Sequence, residues 1–302
     1  MHDLIEKSFI SLTDAFFARW PRPVPAMPRL ATCKIISHRG QHDNLAVMEN
    51  TLTAFDTAVR AGVWGLEFDI RWTRDLKPVV FHDRNLLRIF NHPLEIKKTD
   101  RKVLRKKFPL IPTLEEVLER YGRRVHLMVE LKAEHYPAPQ RQTRVLADLF
   151  SGLAPGKDFH FLSLDTDMFR HVGFVHPSAL LPVAQLNFKA LSRRALSRGY
   201  AGVAGHYIFI NNRLAARHKA AGQQVGVGYP CSANSLFREV NREVEWIFSN
   251  HAVEMQRFID EHAGRRKAPE DGGQRTEVRR ARPQKREAMR NPTPGTRNRQ
   301  VK

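Results

Sequence analysis

Four short runs hold residues that could do chemistry together: Ser37-His38-Arg39-Gly40, Glu67-Phe68-Asp69, His82-Asp83 and Glu130-Leu131-Lys132. Glu67 and Asp69 are two apart, so on a strand both carboxylates face the same side. Carboxylates turned into a protein interior need compensation. Glu130 supplies a third. Three hard oxygen donors with no cysteine among them suit Mg2+, Ca2+ or Mn2+ rather than structural zinc. Histidine titrates near neutrality, so His38 and His82 can serve as an acid and a base. Arg39 offers a phosphate a fork of donors, and Lys132 offers it a point charge. Two histidines, an oxygen-rich cation site and two fixed cations describe phosphate-ester chemistry. Each piece alone is commonplace. A strand-end histidine is usually a hydrogen-bonded structural residue, and Glu-x-Asp is usually a solvated strand face. The reading rests on all four runs occurring together, in order and at strand ends.

The elements that must position these residues alternate. Strand patterns fall at 33–38, 64–71, 78–82, 125–131, 159–164, 179–185, 201–207, 224–229 and 245–249. Several are near-continuous apolar runs, as in strands buried on both faces. Helical patterns lie at 51–61, 113–121, 140–151, 189–198, 211–221 and 252–262. The first should be capped by Asn50 and end at Gly62. The second opens on a Thr113/Glu116 capping box. This alternation predicts an α/β fold, a TIM (β/α)8 barrel whose strands carry the four runs at their carboxyl ends. One stretch breaks the pattern. Between 71 and 78 there is no room for a crossover helix. A hairpin-like excursion is expected there, its turn centred on Asp75 and Leu76, placing Asp69 opposite His82.

The chain has 302 residues and a net charge of +19. Residues 263–302 hold 13 Lys/Arg against four acids, a net +9, with almost no large apolar side chains. This segment is expected to be a basic disordered tail. Residues 33–262 would form the barrel. Within 1–32, Ile5, Phe9, Leu12, Phe16 and Trp20 draw an apolar stripe on a helix, followed by a linker rich in proline. Its polar face is poor in Lys/Arg, which favours packing on the body over lying in a membrane interface. Cys33 and Cys231 form no framework and no metal spacing, so a cytoplasmic setting is expected. No run is long and apolar enough for a transmembrane helix, and Asp3, Glu6 and Asp14 argue against a signal peptide.

HRG (38–40), ENTLTAF (49–55), LEFDIR (66–71), VVFHD (79–83), PTLEEVL (112–118) and VELK (129–132) resemble the glycerophosphodiester phosphodiesterases. The resemblance is dense over 37–132. It thins through FLSLD (161–165), GHY (205–207) and WIFSN (246–250), and does not cover 1–32 or 263–302. It implies a TIM barrel, one divalent cation, and hydrolysis of glycerophosphodiesters to glycerol 3-phosphate and an alcohol. By position it implies His38 and His82 as the acid/base pair, and Glu67, Asp69 and Glu130 as metal ligands. Arg39 and Lys132 would contact the substrate phosphate. Two features depart from the family pattern. Met48 stands where proline is usual before Glu-Asn-Thr. Val227-Gly228-Tyr229-Pro230 replaces a strand end whose tryptophan usually packs on glycerol, and Tyr229 could take that place. An alternative substrate is a lysophospholipid, cleaved as by a phospholipase D. A different class of reading makes the barrel an inert scaffold and the charge a binding device for an anionic surface or nucleic acid. Intact histidines and carboxylates speak against nucleic acid as the main partner. A small-molecule phosphodiester is the expected one, with weak anionic-membrane contact through the N-terminal helix or the tail.

Overall fold

The structure is a computed structural model that describes residues 15–264. Eight parallel strands close into a barrel, and a ninth adds to one of them in the opposite direction. In chain order the strands are β1 (Lys34–His38), β2 (Gly65–Trp72), β3 (Pro78–Val80), β4 (Asn85–Leu86), β5 (His92–Glu95), β6 (His126–Leu131), β7 (Phe159–Ser163), β8 (Leu180–Ala184), β9 (Gly202–His206), β10 (Gln224–Gly228) and β11 (Trp246–Ser249). The barrel order is β1-β2-β6-β7-β8-β9-β10-β11, and β11 pairs back to β1. Strands β4 and β5 form a separate small hairpin.

Side-chain alternation divides the core into two layers. Leu66, Phe68, Ile70, Leu127, Val129 and Leu131 point outward, to the helices. Ile36, Met128, Leu162, Leu181, Trp246 and Phe248 fill the barrel. Glu67, Asp69 and Glu130 share the parity of the inward set, one or two steps nearer the carboxyl ends. Register then makes neighbours of His38 and Glu67, and of Asp69 and Glu130.

Six helices stand close to where the pattern puts them, including Leu52–Arg60, Leu114–Tyr121 and Pro139–Phe150. The Thr113/Glu116 capping box is present. The first helix is capped differently from expectation. Thr51 accepts from the Ala54 amide, whereas Asn50 adopts a left-handed φ of 57° and turns its side chain into the barrel. A further helix, Ala233–Asn241, lay outside the expected set. Its capping box pairs Ser232 with Ser235, not with the Glu or Gln that usually marks this motif.

The excursion is an antiparallel hairpin, but its register is one residue from expectation. Ile70 pairs with Val80 and Trp72 with Pro78, so Asp69 lies beside Phe81, not His82. A two-residue turn would have given the expected pairing. The actual loop has three residues. Thr73 donates to the Lys77 carbonyl, the Leu76 amide donates to Thr73, and Leu76 takes a φ of 58°.

Of the N-terminal stripe, Ile5, Phe9 and Leu12 lie outside the described residues, as does the basic tail beyond Gly264. Over 15–32 the chain packs on the Ala233–Asn241 helix. Asn234 bonds the Ala18 carbonyl and the Arg22 amide, Asn241 bonds the Pro23 carbonyl, and Arg238 lies over the Phe17 ring. Phe16 and Trp20 are more than half exposed. Among the described residues no helix is long and apolar enough to cross a membrane.

Candidate active site

The loop after β1 makes a tight reversal. Arg39 and Gly40 both have positive φ, 59° and 78°. A side chain on Gly40 would sit 2.7 Å from the Ala54 Cβ, so only glycine lets the loop pass the following helix. Arg39 is strained in this region, at a cost of ~1–3 kcal/mol. Its amide is held by the Glu67 carbonyl at 2.9 Å and by Glu67 Oε2 at 3.2 Å. The reversal turns the Arg39 guanidinium back over the barrel. Its Nε lies 3.1 Å from Asp69 Oδ2 and its Nη1 3.2 Å from Glu49 Oε1.

Glu67, Asp69 and Glu130 are all buried, and each offers a carboxylate oxygen within 4.8 Å of the other two. Lys132 Nζ stands 2.6 Å from both Asp69 Oδ1 and Glu130 Oε1. Asn50 Nδ2 donates to Asp69 Oδ2 at 2.8 Å. The electrostatics separate the two carboxylates of β2. Burial, reinforced by Asp69 and Glu130, pushes Glu67 well above the usual carboxylate range. Burial acts the same way on Asp69, but Lys132 and Arg39 outweigh it and hold Asp69 well below that range. For Lys132, burial opposes the charge, yet Asp69 and Glu130 raise its pKa.

The donor set fits a hard divalent cation. It is all oxygen, buried and convergent, and Glu67 has no cation of its own to offset the other two acids. Three carboxylates against Arg39 and Lys132 leave one negative charge. A divalent ion and a singly charged phosphodiester would bring the set to neutrality.

The two histidines have different settings. His38 is buried, its Nδ1 2.6 Å from Asn250 Oδ1 and its Nε2 3.7 Å from Glu67 Oε2. Burial, with Arg39 beside it, pushes its pKa well below the ordinary histidine value. The Tyr229 ring stands 4.9 Å from it, so Tyr229 does reach the site. His82 is more open. Its Nδ1 bonds Asp83 at 2.6 Å, and its carbonyl is clamped by Arg71, which Glu134 holds in turn.

Five residues assigned no part in the site from the sequence complete the arrangement: Glu49, Asn50, Asp83, Arg88 and Asn250. Arg88 bonds Asp83 and makes two bonds to Glu49, which also binds Arg39. One chain of charges therefore runs from His82 through Asp83, Arg88 and Glu49 to Arg39. Burial would raise the Glu49 carboxyl, but Arg88 and Arg39 bring it down to about 2. Glu49, Asn50 and Asn250 lay inside quoted motifs, and Asp83 adjoined His82; only their contacts reveal what they hold. Arg88 carried no signal.

Residues 38–220, more than half of the chain, match the model of the glycerophosphoryl diester phosphodiesterase family. The glycerophosphodiester phosphodiesterase of Caldanaerobacter subterraneus is 38% identical over 111 residues, 33% of this chain and 45% of that protein. That of Bacillus altitudinis is 34% identical over 125 residues, 37% of this chain and 50% of that protein. The chain spans about half the length of these curated relatives. In fold it is similar to an Oleispira antarctica phosphodiesterase solved with the product sn-glycerol-3-phosphate (TM-score 0.64, 23% identity, covering 75% of this chain and 96% of that one). It is likewise similar to a glycerophosphodiester phosphodiesterase from Thermotoga maritima (TM-score 0.62, 21% identity, 74% and 97%). With the matched segment carrying His38, Arg39, Glu67, Asp69, His82, Glu130 and Lys132 into one barrel mouth, the chain belongs to the glycerophosphoryl diester phosphodiesterase family.

Proposed function

We propose that this chain hydrolyses glycerophosphodiesters to glycerol 3-phosphate and an alcohol, with His38 and His82 as the proton-transfer pair. The observation that carries the proposal is the convergence of three buried carboxylates with buried Lys132 and partly buried Arg39 beside a buried histidine. A barrel interior without a function would not keep such a set, because apolar side chains are at least as stabilising there. Glu67, Asp69 and Glu130 would hold one divalent cation, Mg2+ or Ca2+ with Mn2+ also suited. Bound there, it would supply Lewis-acid polarisation of a phosphoryl oxygen.

The chain's own residues do the rest. Arg39 and Lys132 are fixed cations at the mouth and orient the phosphate without reorganising. Asn250 Oδ1 accepts the Nδ1–H hydrogen bond of His38. The neutral ring therefore presents Nε2 as an acceptor, suited to take the proton of the glycerol 2-hydroxyl as that oxygen attacks phosphorus. Asp83 holds the His82 ring in place through Nδ1, as aspartate does in an aspartate–histidine pair, and His82 delivers a proton to the departing alcohol. The P–O bond to the alcohol breaks and a cyclic phosphate remains. Water then opens the ring, losing its proton to His82, while His38 returns its proton to the 2-oxygen. Tyr229, against His38, supplies an apolar wall for the glycerol end.

Release of glycerol 3-phosphate from glycerophosphocholine tests this, with lysophosphatidylcholine as a second substrate. His38→Ala and His82→Ala should each lower kcat by about 10²–10⁴-fold. Full activity in either variant would refute the assignment. Turnover of the lysolipid alone would move the substrate class to lysophospholipids.

A further inference from the structure

Outside the tail, the net charge is +10, and +6 of it falls within residues 83–107, nine basic side chains against three acids. This stretch is a built unit. Phe81, Leu86, Ile96, Leu104 and Ile111 form a small core of its own, apart from the barrel's. Its acids are already committed. Asp83 is taken by His82 and Arg88, Glu95 by Lys98, and Asp100 by Arg74. Arg84, Arg101, Lys102, Lys106 and Lys107 are exposed and make no ion pair among the described residues. The helix Arg101–Lys107 buries Leu104, ties Arg105 to Glu116, and turns Arg101, Lys102, Val103, Lys106 and Lys107 outward.

Aliphatic side chains are interleaved with this charge. Leu87, Val103 and Leu110 are each about half exposed. The unit stands at the carboxyl end of the barrel, because Arg101 and Asp100 contact the β2–β3 turn and Arg88 contacts Glu49. At the same end, Leu45 follows β1 and Leu186 follows β8, exposed at 85% and 87%.

We infer that the basic unit spanning residues 83–111 docks the mouth of the barrel onto an anionic phospholipid surface. Clusters of four to eight Lys/Arg near apolar side chains have the chemistry of such docking: charge attracts the headgroups and aliphatic tips enter the interface. Nucleic acid fits less well. A single-strand platform stacks bases on exposed aromatics, whereas Phe90 and Phe108 are turned into the small core. The surface does not depend on the hydrolytic reading, because none of the exposed lysines touches the proposed site.

The test is co-sedimentation of the full chain with vesicles of phosphatidylcholine alone, or with about a third phosphatidylglycerol. Binding to the anionic vesicles only, weakening as salt is raised, is expected. Lys102→Gln, Lys106→Gln and Lys107→Gln together should weaken it at least tenfold, and Val103→Asp should weaken it severalfold. Both variants should keep wild-type circular dichroism and wild-type hydrolysis of soluble substrate. Undiminished binding by the triple variant would assign the effect to the tail or the N-terminal segment and overturn the inference. So would failure of the wild type to bind anionic vesicles, or competition in which duplex DNA strips the chain from them at equal charge.

Discussion

The two ends of the barrel bury polar groups in opposite ways. At the carboxyl end Glu67, Asp69, Glu130 and Lys132 are buried with Arg39 partly buried beside them, and burial, reinforced by Asp69 and Glu130, pushes Glu67 up. The amino end buries neutral rings. His126 Nδ1 donates to the Lys157 carbonyl at 2.9 Å, and its Nε2 meets His160 Nδ1 at 2.7 Å. Trp64 stacks on His126 at 4.3 Å, and Trp246 closes on His160. Burial holds His126 down to about 4 and His160 down to about 3. Backbone strain divides the same way, with Arg39, Asn44, Asn50, Leu76 and Asn91, five of the seven non-glycine residues of positive φ among the described residues, in loops at the carboxyl end. The floor is therefore built for stability. The mouth retains repulsion and strain that stability alone would remove.

Glu67→Gln should separate the two most sharply. It keeps an oxygen for the Arg39 amide and removes a charge that Asp69 and Glu130 oppose. Hydrolysis should fall about 10³-fold, while the metal-free melting temperature stays level or rises. A clear loss of stability would place Glu67 with the floor instead. His126→Ala should do the reverse, costing about 1–3 kcal/mol in denaturant unfolding by orphaning His160 and the Lys157 carbonyl, with kcat within twofold of wild type.

Glu49 tests the reach of the mouth. Glu49→Gln weakens the hold on Arg39 and Arg88 without touching the carboxylate triad. A drop of about 10-fold in kcat/KM is expected, through orientation rather than contact. An unchanged value would show that the chain of charges from His82 to Arg39 is incidental.

Acid should reach the floor pair before Glu49. His126 and His160 have folded pKa values below that of an unfolded histidine, so the unfolded chain takes up protons first. Stability from this pair is complete above about pH 6.5 and is lost as pH falls toward 4 and 3. Glu49 is depressed to about 2, so its contribution is lost later, between about 4.5 and 2. Urea midpoints against pH should decline below 6.5 in the wild type and less steeply in His126→Gln. Parallel slopes would exclude the pair as the cause.

The barrel was legible because its strands are apolar on both faces and its helices are amphipathic, patterns that need only local sequence. The triad was legible because period two on β2 puts Glu67 and Asp69 on one face. Pairing across strands was not. The three-residue turn at Arg74-Asp75-Leu76 lacks the glycine that marks such turns, so the hairpin register slipped by one. Asn50 was read as a cap by its residue type, yet Thr51 caps and Asn50 binds Asp69 across 19 residues. Arg88 joins Glu49 across 39 residues, a contact no spacing rule reveals.

The central claim is most directly tested by following glycerol 3-phosphate release from glycerophosphocholine by the full chain, before and after EDTA and on return of Mg2+ or Ca2+, beside Glu67→Gln. The account predicts release by the wild type, loss in EDTA, recovery with one of the two ions, and no recovery in Glu67→Gln. An EDTA-treated wild type that hydrolyses at its full rate would contradict it.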